Sequence, residues 1–185
     1  MMTIGSVLQR CALSLALTAS LTAVANAAPF MLSSASVADG AKLASDFAGP
    51  GDCGGKNVSP QLSWVNPPAG AASFAITIWD QDGQKGLGVS HWVAYGIPPT
   101  MTSLPAGAGS PPSPAFVSGT NTRKAVAYLG PCPPVGDAPH HYYITVYALD
   151  LAPNALAPGL TREQFFAALA GHALGATTMV ALYGR

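Results

Sequence analysis

Glycine and proline recur so often in this chain that they divide most of it into short segments. The 185 residues include 20 Gly and 17 Pro. Proline fixes φ and removes an amide donor, and glycine loses much conformational freedom on ordering, so both types punctuate helices and strands. Several of the segments between them are rich in β-branched and aromatic residues, which favour strands. The pattern predicts a mostly antiparallel β domain with many turns.

Four segments carry the strand signal. Residues 72–79 alternate, which places Phe74, Ile76 and Ile78 on one face of a strand. The other predicted strands are residues 91–97, 142–149 and 177–183.

One segment carries a helix signal. Thr161 and Gln164 have the spacing of a capping box, in which each side chain bonds the backbone amide of the other. The following residues favour a helix that ends at Gly171 or Gly175. By contrast, residues 98–121 are rich in Pro, Gly and Ser, which predicts a long loop with little sheet potential.

Residues 1–27 are typical of a secretory signal. Arg10 supplies the positive charge, residues 11–24 form an apolar run, and residues 25–27 read Ala-Asn-Ala, a cleavage pattern. The alternative is a membrane anchor, but the run is shorter than the roughly 20 residues a spanning helix needs. We therefore expect a periplasmic or secreted mature chain, residues 28–185, that forms one domain without stable membrane insertion.

The charge balance excludes a class of partners. Loss of Arg10 reduces the eight basic residues of the chain to seven, against eight acidic ones. A nearly neutral chain has no net field to attract nucleic acid or an anionic membrane.

The cysteine count supports an oxidising compartment. Cys11 leaves with the signal segment, so Cys53 and Cys132 remain. An even pair in an exported protein suggests a disulfide. Two free buried thiols or a metal site are the alternatives, although two thiols without C-x-x-C or nearby His spacing make a poor zinc site.

Acidic and histidine side chains are concentrated at the ends of the predicted strands. Asp80 and Asp82 follow the strand 72–79, and on an extended chain their side chains would point the same way. His91 opens the next strand and would return beside them if the two strands pair. Such a histidine can donate to a carboxylate or bind an anion. A plain strand-end turn with a structural histidine is the alternative.

A second set of polar residues begins the strand 142–149. Alternation places His140 and Tyr142 on one face and His141 on the other, so His140 and Tyr142 could both donate to an anion. The rigid segment 130–134 contains three prolines and is suited to wall a pocket. A metal site is the weaker interpretation, since no H-x-H or H-x-x-x-H pair is present. The chain also lacks a nucleophile motif, a phosphate-binding loop and a dinucleotide-binding loop, so we expect no cofactor and no catalytic residue.

Over residues 47–185 the chain resembles the phosphatidylethanolamine-binding protein family, which includes the Raf kinase inhibitor proteins, and especially its bacterial exported branch. Several motifs occur in the order of that family. They are Asn57-Val58-Ser59-Pro60-Gln61-Leu62-Ser63-Trp64, Asp80-Gln81-Asp82, His91-Trp92-Val93, Gly130-Pro131-Cys132-Pro133-Pro134, His140-His141-Tyr142 and Tyr183-Gly184-Arg185.

The resemblance implies a Greek-key-like antiparallel β-sandwich with peripheral helices, and one pocket for phosphate-like head groups, acetate or related small anions. The residues that match the family's pocket motifs are Asp80, Asp82, His91, Pro131, Pro133, His140 and Tyr142. Three departures stand out: Gln81 replaces a proline, Ser90 replaces an aromatic residue, and His141 replaces an arginine.

These observations lead to a main hypothesis and two rivals. The first is an exported protein that binds a small anion in its pocket and regulates a partner protein through that pocket. The second is a regulator or inhibitor that acts through surface loops, above all residues 98–121, with a vestigial pocket. An enzyme that uses the His–Asp set as acid and base is the least supported.

Overall fold

Two antiparallel sheets form the body of the protein. The computed structural model describes residues 28–110 and 113–185, so the predicted signal segment, residues 1–27, lies outside the described residues. The strands are β1 (Met31–Ser33), β2 (Leu62–Val65), β3 (Ser73–Asp80), β4 (Val89–Ile97), β5 (Ser103–Leu104), β6 (Val117–Ser118), β7 (His140–Leu149) and β8 (Ala173–Tyr183). Helix α1 is Arg162–Leu169, and two short 3-10 helices are Ser45–Phe47 and Gly51–Cys53.

The sheet order explains how distant segments meet. One sheet has the order β1-β2-β5 and the other has the order β6-β4-β3-β7-β8. Strand β3 therefore lies between β4, which follows it directly, and β7, which comes about 60 residues later in the register Asp80↔Tyr142. This is a Greek-key-like connection. The predicted fold class, a mostly β sandwich with few helices, is confirmed.

Strand β3 is buried on both faces. Phe74, Ile76 and Ile78 face the main core between the two sheets, as their alternation predicted. Ala75, on the opposite face, packs in a smaller core with Phe165 of helix α1. Because helix α1 covers the outer face, the strand carries apolar or small residues at nearly every position.

Helix α1 begins and ends at the predicted signals. Thr161 Oγ1 accepts from the Gln164 amide at 3.3 Å, and Gln164 Oε1 accepts from the Thr161 amide at 2.9 Å, which completes the capping box. The helix ends at Leu169, and Gly171 follows with a φ of 83°. A left-handed residue at this point is best supplied by glycine.

The prediction that residues 98–121 have little sheet potential is wrong. Strand β5 pairs with β2, and strand β6 pairs with β4. Leu104 and Phe116 of this segment are buried in the main core. The strands have two residues each, which is too short for an alternating pattern to appear in the sequence.

A disulfide joins Cys53 to Cys132, with 5.2 Å between their Cα atoms. Asn57 reinforces the same connection, because its Oδ1 accepts from the Gly130 amide at 2.7 Å and its Nδ2 donates to the Tyr128 carbonyl. The segment 130–134 is thus held against the 3-10 helix Gly51–Cys53 by a covalent bond and by side-chain hydrogen bonds. The predicted pairing of the two cysteines is confirmed.

None of the helices in the described ranges combines the length and apolar character needed to cross a membrane.

We predict that the double substitution Cys53→Ala/Cys132→Ala lowers the free energy of unfolding by about 3–4 kcal/mol, because the bond closes a loop of 79 residues. Urea unfolding followed by Trp fluorescence measures this difference. The reduced wild-type protein is the control and should lose a similar amount. A double variant as stable as the oxidised protein would contradict the prediction.

Candidate functional site

A β-bulge brings His91 to the side of Asp80. Ile78 pairs with Trp92 and the adjacent Trp79 pairs with Ser90, so His91 is an extra residue in strand β4 with no partner in β3. Bulges redirect side chains at the ends of sheets. Here the Nε2 atom of His91 lies 3.9 Å from Oδ2 of Asp80. The sequence predicted this proximity, but it contained no signal for the bulge that achieves it.

The carboxylate of Asp80 is buried and held at both oxygens. Its Oδ1 accepts from the backbone amides of Asp82 at 2.9 Å and Gly83 at 3.0 Å. Its Oδ2 bonds Nδ1 of His140 at 2.8 Å. A Cβ atom on Gly83 would lie 2.7 Å from Val89 and 3.0 Å from the carboxylate, so only glycine lets the turn approach this closely.

Asp80 and His140 favour each other's charged forms. Burial by itself raises the pKa of Asp80, but the neighbouring imidazoles outweigh it and the pKa is lowered. We attribute most of this to His140, since the 3.9 Å contact with His91 is longer than a hydrogen bond. Burial likewise lowers the pKa of His140, yet the hydrogen bond and charge of Asp80 raise it overall. Asp137, 3.6 Å from Nε2 of His140, acts in the same direction.

His91 presents an unpaired nitrogen. Its Nδ1 lies 2.6 Å from the Leu129 carbonyl oxygen, and a carbonyl only accepts, so Nδ1 carries the hydrogen. Nε2 is buried and has no hydrogen-bond partner among the described residues. The ring packs edge-on against Tyr142, with 5.1 Å between the centroids. The imidazole is therefore fixed in place by one nitrogen and by its aromatic neighbour.

These groups line a cavity with a volume of about 220 Å³. Four predicted site residues contribute to its wall, namely Asp80, His91, His140 and Pro133. Cys132 of the disulfide and Pro134 also line it. The wall opposite the two strand ends is thus the rigid segment that the disulfide secures.

Three other predicted residues do not line this cavity. Asp82 accepts hydrogen bonds from the amide of His141 at 2.7 Å and from its Nδ1 at 2.9 Å, on the exposed side of the turn. The prediction that Asp82 points the same way as Asp80 is wrong, because the chain leaves the extended conformation and Asp82 has φ −83° and ψ −21°. Those bonds with His141 lower the pKa of Asp82 despite the opposing effect of burial.

Tyr142 and Pro131 lie behind the cavity wall. Tyr142 is buried with its hydroxyl unpaired among the described residues. Burial and the nearby charge of Asp80 raise the pKa of its phenol. Pro131 turns its carbonyl outward to accept from the Gly49 amide at 2.9 Å. Both residues support the site from behind, and a direct contact of either with a ligand stays a prediction.

Sequence reasoning missed the cationic edge of the cavity. Arg123 and Thr122 line it, together with Gln84 of the β3–β4 turn. Asn121 shapes this loop, since its Oδ1 accepts from the amides of Arg123 and Ala125. The adjacent Arg123-Lys124 pair was the one available signal, but no spacing rule connects it to histidines in other segments.

The cavity is better equipped for an anion than for a cation. Asp80 has committed its oxygens to two amides and an imidazole, while Arg123 and His140 offer positive charge. Within residues 28–110 and 113–185, no group of three or more His, Cys, Asp or Glu side chains could hold a metal ion.

Comparisons with known proteins agree with the resemblance. The family model "Phosphatidylethanolamine-binding protein" matches residues 33–184. The UPF0098 protein YbcL of Escherichia coli is 41% identical over 135 residues, which cover 70% of this chain and 73% of YbcL. A Mycobacterium tuberculosis protein named as a lipoprotein, LppC, is 38% identical over 162 residues, covering 85% of this chain and 73% of LppC.

A solved structure supports the same relationship. The crystal structure of E. coli YbcL, described as a new member of the mammalian PEBP family, superposes with a TM-score of 0.79 and 31% identity. The superposition covers 85% of this chain and 99% of that one.

We predict that the Asp80–His140 pair makes the stability of the protein depend on pH. The raised pKa of His140 stabilises the fold below about pH 6.5, and this contribution is lost as pH rises through the folded pKa. The lowered pKa of Asp80 stabilises it above about pH 3.8, and this is lost as pH falls through the folded pKa. Both contributions to the stability of the fold are therefore present between about pH 4 and pH 6.5.

The substitution His140→Gln should lower the free energy of unfolding by about 1–3 kcal/mol at pH 5.5, and by less at pH 8.5. Urea titrations at both pH values measure the two differences. His172→Gln is the control, because His172 forms an exposed pair with Asp150 whose effect should be small. An equal loss for His140→Gln at both pH values would refute the assignment.

Proposed function

The chain belongs to the phosphatidylethanolamine-binding protein family, and from this premise we propose that it binds a small anion of the phosphate or carboxylate type in the cavity lined by Asp80, His91 and His140, which we call the anion cavity. We further propose that it works outside the cytoplasm, after removal of residues 1–27, and that the bound anion regulates contact with a protein partner.

The observation that carries the proposal is the buried, unpaired Nε2 of His91. A polar atom left without a partner inside a protein costs about 1–3 kcal/mol. Nδ1 is already committed to the Leu129 carbonyl, so Nε2 is the atom available to a guest. In its protonated form Nε2 donates a hydrogen bond, and an oxygen of an anion in the cavity would accept it.

Charge at the cavity edge supports an acidic guest. His140, whose pKa is raised by Asp80, lines the cavity together with His91, and Arg123 lines it from the loop after strand β6. Asp137 competes for Nε2 of His140 at 3.6 Å, but it is half exposed and can turn to solvent. An anion that takes the place of Asp137 would accept a hydrogen bond from the same nitrogen, Nε2 of His140.

Binding is favoured over turnover by the identity of the lining groups. Thr122 is the one hydroxyl residue among those that line the cavity, and its Oγ1 already accepts from the Ser90 amide at 2.7 Å. Cys132 is consumed by the disulfide. The lining therefore offers no activated nucleophile, and we expect the ligand to be recovered unchanged.

The rival proposal, a regulator acting through residues 98–121, is less well supported. Leu104 and Phe116 anchor that segment in the main core, so the described part of it is not a separable docking loop.

We predict that the mature protein binds inorganic phosphate or acetate, and that His91→Asn weakens the affinity at least about tenfold, or about 1.4 kcal/mol. Asparagine can keep the bond to the Leu129 carbonyl through Nδ2, yet it lacks an atom in the place of Nε2. Isothermal titration calorimetry measures both dissociation constants.

His172→Asn is the matched control, since it removes an exposed histidine outside the cavity and should leave the affinity unchanged. The proposal fails if the wild-type protein binds none of phosphate, acetate or phosphoethanolamine at millimolar concentration. It also fails if His91→Asn binds as tightly as the wild type.

Anion binding should also take up protons. The cationic form of His140 favours the anion, so the affinity should fall as pH rises through the raised pKa of His140. Calorimetry at pH 7 in two buffers with different ionisation enthalpies measures the number of protons absorbed. Binding heats that do not depend on the buffer would argue against His140 as an anion donor.

A further inference from the structure

A groove next to the anion cavity contains two more buried donors without partners. Its walls include Trp79, Leu87, Ser90, Lys124 and Arg162, and its volume is about 370 Å³. Ser90 Oγ and Arg162 Nε have almost no contact with solvent and no hydrogen-bond partner among the described residues. Native proteins rarely leave such atoms unpaired, so their coincidence in one groove points to a guest that pairs with them. We call this space the Trp79 groove.

Aromatic rings hold the guanidinium of Arg162 in place. Its Cζ lies 4.1 Å from the centroid of the Trp79 ring and 4.5 Å from that of Phe166. Contacts with ring faces stabilise the cation but do not satisfy its N–H groups, which lie in the guanidinium plane. Arg162 is therefore fixed with unused donors, the arrangement that recognises a planar or tetrahedral acidic group.

Ser90 lines the groove and is adjacent in sequence to His91 of the cavity. It is 5% exposed and pairs with Trp79 across strands β3 and β4. Its backbone amide and carbonyl are both bonded to Thr122, at 2.7 and 3.0 Å, so only its hydroxyl is uncommitted. A small side chain at this position leaves space beside the Trp79 ring that an aromatic residue would fill.

The groove and the cavity are neighbours that share two lining residues. Gln84 and Thr122 line both of them. The turn that carries Gln84 is fixed in an unusual shape, because Gln84 and Lys85 have φ values of 52° and 61°. A Cβ atom on Gly88 would lie 1.8 Å from the Trp79 ring, so this turn packs directly on the tryptophan. Strained backbone of this kind is typical of ligand-binding edges.

Positive charge is concentrated around the two spaces. Arg123 lines the cavity, and Lys124 and Arg162 line the groove, where Glu163 is the one opposing acid. These are three of the seven basic residues in the segment 28–185. A nearly neutral chain thus places much of its positive charge on one cleft.

We propose that the Trp79 groove is a second binding subsite, and that the ligand is an elongated molecule with two acidic groups. One group occupies the anion cavity beside His91, and the other binds in the groove beside Lys124 and Arg162. The linker between them crosses the boundary formed by Gln84 and Thr122. This inference rests on the proposed function of the anion cavity.

The test compares linear alkyl monophosphonates with α,ω-alkane bisphosphonates of increasing chain length, by calorimetry on the mature protein. We expect one intermediate length to bind at least tenfold more tightly than the monophosphonate of the same length. Shorter bisphosphonates should gain less affinity because they cannot span the boundary between the two subsites. Longer bisphosphonates should also gain less, because a longer linker loses more conformational entropy on binding.

Two substitutions should abolish the gain. Lys124→Met removes one of the two positive charges of the second subsite, and Ser90→Phe places a large side chain at a position that lines the groove. Lys56→Met is the matched control, because Lys56 forms an exposed ion pair with Asp46 and lines neither space, so the gain should remain. Comparing Lys124→Met with Lys56→Met separates a local contact from a change in net charge.

The outcomes distinguish the two proposals. If monophosphonates bind but no bisphosphonate binds more tightly, the second subsite is wrong and the proposed function stands. The two-group ligand is also overturned if the tighter binding of a bisphosphonate remains in both Lys124→Met and Ser90→Phe. The same conclusion follows if this tighter binding remains in His91→Asn. If neither series binds at millimolar concentration, the proposed function and this inference both fail.

Discussion

The buried carboxylate of Asp80 is the interaction on which the rest of the site depends. It joins the β3–β4 turn to strand β7, since the amides of Asp82 and Gly83 and the imidazole of His140, 60 residues away in sequence, all bond it. A buried charge without such partners would cost several kcal/mol, so the turn, strand β7 and the carboxylate stabilise one another. The same bonds occupy both oxygens of Asp80, which leaves less of its acceptor capacity for a cation in the cavity.

A rigid frame keeps this pocket open. The disulfide and the side chain of Asn57 fix the segment 130–134 from one side, and the left-handed turn around Gln84 packs on Trp79 from the other. Neither wall depends on a ligand for its position. Preorganised donors lose little entropy on binding, so a cavity of about 220 Å³ can hold a small ion despite the few contacts such an ion makes.

The cavity and the groove contain unsatisfied polar atoms. Among the described residues, seven buried side-chain atoms lack a partner, and three of them belong to residues that line the cavity or the groove. They are His91 Nε2, Ser90 Oγ and Arg162 Nε. Ser90 Oγ and Arg162 Nε are donors, and His91 Nε2 becomes one when it carries a proton. An acidic guest would satisfy all three, which connects the proposed function with the second subsite.

The sequence by itself determined the features that depend on local patterns: the long strands, the capping box of helix α1, the cysteine pair, and the positions of Asp80, His91 and His140 at strand ends. Alternation and spacing encode the strands and the cap because they act over a few residues, and the even number of cysteines in the segment 28–185 indicated the pair. Tertiary structure decided the rest. A bulge redirected His91, the turn sent Asp82 to His141, and packing brought Arg123 and Arg162 to the cleft. These outcomes depend on contacts between residues that are remote in sequence, and a linear pattern does not record such contacts.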